Sequence, residues 1–207
     1  MTTFPNPASQ VLPGRMKRLR RPRAVAALAV LLAGFGGVAP AAFAQQNKPG
    51  EYQVKAVYLY NFAKFIDWPP GAEKNSPFTV CVLGRDPFGS VLDETLAGET
   101  VGSRKPVARR IASAAETKCE ILYISASEAG RAKQVLASID KPGILTVSDV
   151  PDFTANGGMI QFVLMDNKIR FEVNLAAAEK AGLTVSSQLL KVATVVRKGA
   201  SGPNTSP

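Results

Sequence analysis

One dipeptide constrains this chain more than any other feature. Asp166-Asn167 stands between two runs, Met159–Met165 and Lys168–Asn174, that pair as a β-hairpin around a two-residue turn. Once the turn is set the pairing follows, because side chains alternate faces along each strand. Leu164 opposes Ile169, Phe162 opposes Phe171 and Ile160 opposes Val173, so one face is wholly apolar. The other face pairs Met165 with Lys168, Val163 with Arg170, Gln161 with Glu172 and Met159 with Asn174. A slip of one residue would exchange the two faces, which pins the register. The mixed face is a candidate partner or ligand surface, with Arg170, Glu172, Asn174 and Gln161 as polar groups beside Met159. The same residues also read as a solvated Arg–Glu ladder, with Asn174 capping the helix that follows.

The N-terminal stretch carries an export pattern. Arg15 to Arg23 is basic, Ala24 to Ala39 is apolar, and Ala42-Phe43-Ala44 is a small-x-small cleavage site before Gln45. Residues 1–44 are therefore expected to be a signal peptide, with Met16 an alternative start, and cleavage leaves 163 of the 207 residues. Arg20-Arg21 leaves a twin-arginine route open beside the general one. Six basic residues and no acidic ones lie in that leader, so its removal lowers the formal charge from +9 to +3. That is too mild a charge to argue for nucleic acid. The mature product is expected to be soluble and outside the cytoplasm.

The residue inventory excludes most catalytic designs. The chain has no histidine, which removes Ser-His-Asp triads, Cys-His pairs and histidine-ligated metals. Two cysteines cannot build a four-thiolate site, and no phosphate loop or Gly-x-Gly-x-x-Gly is present. Carboxylate-only chemistry, at Asp86, Asp149 or Asp152, or lysine chemistry survives this filter. Neither catalytic residue nor cofactor is expected.

Along the mature chain, Glu51 to Trp68 reads as a helix with a stripe of Val54, Val57, Tyr58, Asn61, Phe62 and Phe65, with Leu59, Ala63 and Ile66 beside it, stopped by Pro69-Pro70-Gly71. Phe78–Leu83 is an apolar strand, followed by a turn in which Asp86 is expected to cap a helix over 88–96. Val101 to Ile111 reads as a charged edge strand carrying Arg104, Lys105, Arg109 and Arg110. A strand over 119–125, a helix over 127–139 and a strand over 143–147 complete an alternation that predicts an α/β domain with helices on both faces of the sheet. After the hairpin come a helix over 175–181 and one over 188–196 capped by Ser187. One domain is expected over 45–196, with a Gly/Ser/Pro-rich disordered tail over 197–207. Cys81 and Cys119 lie at or near the starts of two apolar strands. They form a disulfide if those strands are neighbours in an oxidising compartment, or remain two small buried side chains that never meet.

Several ordered blocks resemble the YfiR-like family of periplasmic regulators. Lys55-Ala56-x-x-Leu59-Tyr60-Asn61-Phe62-Ala63-Lys64-Phe65-x-x-Trp68-Pro69 is similar to that family's opening helix. Leu83-Gly84-x-Asp86-Pro87-Phe88-Gly89, Cys119-x-Ile121-Leu122-Tyr123-Ile124-Ser125, Leu145-Thr146-Val147-Ser148-Asp149 and Gly157-Gly158-Met159-Ile160 follow in the same order. Ile169-Arg170-Phe171-Glu172-Val173-Asn174 and Gly182-Leu183-x-x-Ser186-Ser187-Gln188-Leu189-Leu190 close the match. The resemblance implies a three-layer α/β/α fold with a mixed sheet, exported and homodimeric. It further implies repression of an inner-membrane diguanylate cyclase through that enzyme's periplasmic sensory domain, and no catalytic residues. Some relatives carry a second cysteine pair that this chain lacks. A small-molecule receptor serving a sensor kinase is the competing expectation.

Overall fold

The computed structural model describes residues 50–69, 76–139 and 141–198, all within the compact unit Gln45–Pro207. The leader, its cleavage site and residues 199–207 of the expected tail lie outside the described residues, while Arg197, the first residue of that tail, belongs to a strand instead.

Helix α1 (Glu51–Phe65) opens the domain and buries Ala56, Leu59, Phe62 and Ala63. These recur at helical spacing, one turn apart on one side. The expected stripe is rotated from the observed one: Val54, Val57 and Phe65 are exposed. The helix is apolar nearly all round, so periodicity alone does not decide which side faces the sheet. It also ends earlier than Trp68, because Ile66 turns extended and starts β1 (Ile66–Asp67).

Strand β2 (Phe78–Leu83) leads through the Asp86 turn to α2 (Ser90–Leu96) and then β3 (Pro106–Ile111). Asp86 accepts from the Phe88 backbone N–H at 2.8 Å and ion-pairs with Arg110, so it fixes the turn before α2 and is not the helix cap. Only the second half of the expected 101–111 strand is extended; Val101 and Arg104 instead close a tight turn. Strand β4 (Ile121–Ile124) is followed by a 3-10 turn and the short α3 (Ala132–Ser138), where one continuous helix was expected. Next come β5 (Leu145–Ser148), β6 (Ile160–Met165), β7 (Lys168–Asn174) and α4 (Leu175–Lys180). The chain finishes with β8 (Thr184–Val185), α5 (Ser187–Val192) and β9 (Val195–Arg197). The cap of α5 is Ser186, whose hydroxyl accepts from Leu189 N–H, and the expected continuation to residue 196 is a strand instead.

The main sheet has seven strands in the order β3-β2-β4-β5-β6-β7-β9. Neighbours from β3 to β6 are parallel, β6 and β7 are antiparallel, and β9 runs parallel to β7. The hairpin forms in the expected register, from Ile160 opposite Val173 to Met165 opposite Lys168. Asp166 and Asn167 both take positive φ (49° and 60°), as a type I′ turn requires. The two-stranded β1–β8 sheet stands apart.

Two cores sandwich the main sheet. Val80, Val82, Ile121, Tyr123, Leu145, Val147, Phe162 and Phe171 face α1, α2, α4 and α5. Leu83, Leu122 and Ile124 face α3 and Phe153 on the other side. The result is the three-layer α/β/α arrangement, as parallel strands buried on both faces require. Cys81 and Cys119 meet on the second face as a disulfide, with their Cα atoms 6.0 Å apart.

Candidate functional site

The hairpin's mixed face is largely a docking surface for the protein's own backbone. The segment between β5 and β6 folds over it, and Thr154 is buried at the centre. Gln161 Oε1 accepts from Thr154 N–H at 3.3 Å, Glu172 Oε2 accepts from the Thr154 hydroxyl at 3.0 Å, and Asn174 Nδ2 donates to the Thr154 carbonyl at 3.0 Å. Asn174 also caps α4, its Oδ1 accepting from Ala177 N–H at 3.1 Å. Arg197 on β9 donates to the Thr154 hydroxyl and lies 3.5 Å from Glu172. Met159 and Gln161 are buried, Glu172 and Asn174 half-buried, and Arg170 exposed. Of the five residues expected there, three therefore converge on one buried threonine that periodicity could not reveal. Asp152, at positive φ, helps to turn this segment.

A second constellation lies at the carboxyl ends of the parallel strands. There β2 has β3 on one side and β4 on the other, so the chain reverses its winding direction. Open α/β sheets place ligand crevices at such switch points. Here a cavity of about 800 Å³ is walled by the segments after β2, β4 and β5, by the first turn of α1 and by the end of β6.

Lys55 is the cavity's central charge. Its Nζ sits 2.6 Å from Glu51 Oε1 and 2.7 Å from Asp149 Oδ2, and 4.4 Å from the centre of the Tyr52 ring. The Tyr52 hydroxyl donates to the same Asp149 oxygen at 3.0 Å. Glu51 precedes Lys55 by one turn, the favourable order for such a pair, and sits at the positive end of the α1 dipole. A lysine this buried is tolerable only because two carboxylates hold it. Burial first, and the Asp149 charge second, push the Tyr52 and Tyr123 hydroxyls well above their ordinary range, so both remain protonated. Tyr123 Oη and Asp149 Oδ1 are buried without a hydrogen-bond partner among the described residues. Arg85 adds an exposed guanidinium to the lining.

Such a site is equipped to bind polar groups against an apolar wall of Phe162, Val163 and Leu164. No cluster of three or more metal-ligating residues is found among the described residues. Sequence spacing could not join Lys55 to Asp149 across 94 positions. The one available signal was that each falls inside one of the ordered blocks.

A smaller groove of about 520 Å³ adjoins the cavity between α1 and the hairpin tip. Glu51, Leu164 and Ile169 line both. Arg170 borders this groove.

Comparison with known proteins gives a family. The model of a family described as YfiR/HmsC-like matches residues 52–194. No curated protein matches the chain. Among solved structures, a conserved domain protein from Vibrio cholerae O1 biovar El Tor is 11% identical, with a TM-score of 0.49 over 71% of this chain and 60% of that one. The ABC domain in complex with L-Trp from Streptococcus pneumonia is 15% identical, with a TM-score of 0.46 over 70% of this chain. The chain spans 60% of the length of each of these two structures. No helix among the described residues is long and apolar enough to cross a membrane.

Proposed function

Because the chain belongs to the YfiR/HmsC-like family, we propose that it is a periplasmic regulatory protein that restrains an inner-membrane diguanylate cyclase. The observation that carries this reading is the family match, which runs from the first turn of α1 to the residue before β9. The export pattern of residues 1–44 supports the compartment, and the disulfide suits an oxidising one. The protein acts by holding the inactive state of the cyclase's sensory domain more tightly than the active state, which shifts the enzyme's population. It does so as a homodimer. A ligand in the carboxyl-edge cavity would touch the wall that also borders the groove, which offers a route for release.

Deleting the gene tests this. Cyclic di-GMP and surface attachment are expected to rise, and removing the cyclase as well should restore the baseline. Unchanged cyclic di-GMP across envelope stresses would overturn the reading. Arg170, the exposed member of the mixed face, is the first residue to replace: Arg170→Ala should weaken repression while the protein remains folded and secreted.

One observation favours a second reading. The cavity is large enough for a small molecule and carries charges of both signs, as a receptor serving a sensor kinase would need. Mass spectrometry of material released on denaturing protein from its own periplasm separates the two readings. A stoichiometric metabolite combined with unaltered cyclic di-GMP on deletion selects the receptor.

A further inference from the structure

The hairpin tip overhangs α1, and its apolar face runs past the part of the helix that covers it. Phe162 and Phe171 are buried under Tyr58 and Phe62, but Leu164, one pair further out, is 62% exposed. The groove formed there has Val54 and Tyr58, from successive turns of α1, and Leu164 and Ile169, from the two hairpin strands, as its apolar lining. Lys168 and Arg170 stand on its rim, and neither pairs with a carboxylate among the described residues. Glu51, the acid beside them, is engaged by Lys55. The groove is therefore apolar inside, with two cations at its rim that form no ion pair among the described residues.

The geometry points to this groove as the docking surface for an amphipathic helix of a partner protein, with apolar residues facing α1 and carboxylates reaching Lys168 and Arg170. A helix fits because the lining follows α1 from Gly50 to Tyr58, a run of about 12 Å at the helical rise. Side chains of a second helix interdigitate along such a run. The chain's own flanks do not match. Gln45-Gln46-Asn47-Lys48-Pro49 before it and residues 199–207 after it hold no acidic residue and no large apolar one. A bilayer surface fits less well, because the site is concave and Asp166 stands at the apex of the tip. The inference rests on the protein acting through a partner, but not on that partner being a cyclase.

Site-directed photocrosslinking in the native envelope tests it. Leu164→p-benzoylphenylalanine places the probe in the groove, and Val107→p-benzoylphenylalanine on β3, at the opposite edge of the sheet, is the control. The expected adduct forms from position 164 only. Its crosslinked peptide lies in another protein and shows an apolar helical stripe flanked by acids. Its yield falls at least tenfold when Lys168→Glu and Arg170→Glu are added, with circular dichroism confirming that the variant is folded. A second copy of this chain, phospholipid, a segment without acids, a yield indifferent to charge reversal, or no adduct at all would each overturn the inference. An acidic helix from a protein other than a diguanylate cyclase leaves the docking surface standing and removes the cyclase reading. A deletion phenotype without the adduct does the reverse.

Discussion

Replacing Lys55 with methionine keeps most of the side chain's length and removes its charge, leaving Asp149 and Glu51 facing an apolar tip. The ion pair is buried, with Lys55 3% and Asp149 13% exposed. Removing one partner of such a pair costs about 3–5 kcal/mol, mostly because the remaining charge is stranded. Two features bring the expected cost to the lower end of that range. Glu51, at 25% exposure, can turn to water, and the Tyr52 hydroxyl still donates to Asp149 Oδ2. We expect Lys55→Met to cost about 3 kcal/mol, and Lys55→Met with Asp149→Asn to cost about 1 kcal/mol or less. The double-mutant cycle should then show a coupling of at least about 2 kcal/mol, larger by whatever Asp149→Asn costs alone. Urea unfolding followed by circular dichroism, with the disulfide intact, measures all four corners at pH 8. Additive effects, or a single-variant cost below about 1 kcal/mol, would refute the view that Lys55 and Asp149 form one buried unit.

Three further outcomes are expected. A Cβ at Gly158 would overlap the buried Phe153 ring, so Gly158→Ala should cost about 2 kcal/mol in urea unfolding and be relieved by adding Phe153→Leu. Replacing both Cys81 and Cys119 by serine opens a link spanning 38 positions, and thermal and urea melts should show a loss of about 4 kcal/mol on the chain-entropy account. The folded state keeps the Tyr52 and Tyr123 protons after the unfolded chain begins releasing its own near pH 10. That stabilisation is complete below pH 10 and lost as pH rises beyond it. Unfolding midpoints should therefore drop more gently above pH 10 in Tyr123→Phe than in the unaltered protein, with no loss at pH 7, since that hydroxyl has no partner.

The sequence was most informative where the physics is local. The Asp166-Asn167 turn, with alternation on either side, specified the register of β6 and β7 residue by residue, because both signals act within a few positions. The charged strand ending at Ile111 sits at the sheet edge for the reason its arginines suggested. Element ends were harder: Ile66 and Val195 leave helical patterns because partners far along the chain, Val185 and Glu172, pair with them. The mixed face shows the limit most plainly. Its alternation was readable, but the segment that covers it through Thr154 is placed by tertiary packing. Lys55 and Asp149 were hidden for the same reason: each looks like an ordinary surface charge until the fold brings them within 2.7 Å.

Strand β9 has a consequence for how this protein should be handled. Its three residues run parallel to β7 and place Arg197 against Glu172 and Thr154, at the outer margin of the sheet. A chain cut before Val195 would present the bare β7 backbone as a template for the same strand from another molecule. Truncated preparations should therefore form strand-exchanged oligomers that are a product of the cut. An affinity handle on the C-terminal side is better joined beyond Lys198 than in place of the residues before it.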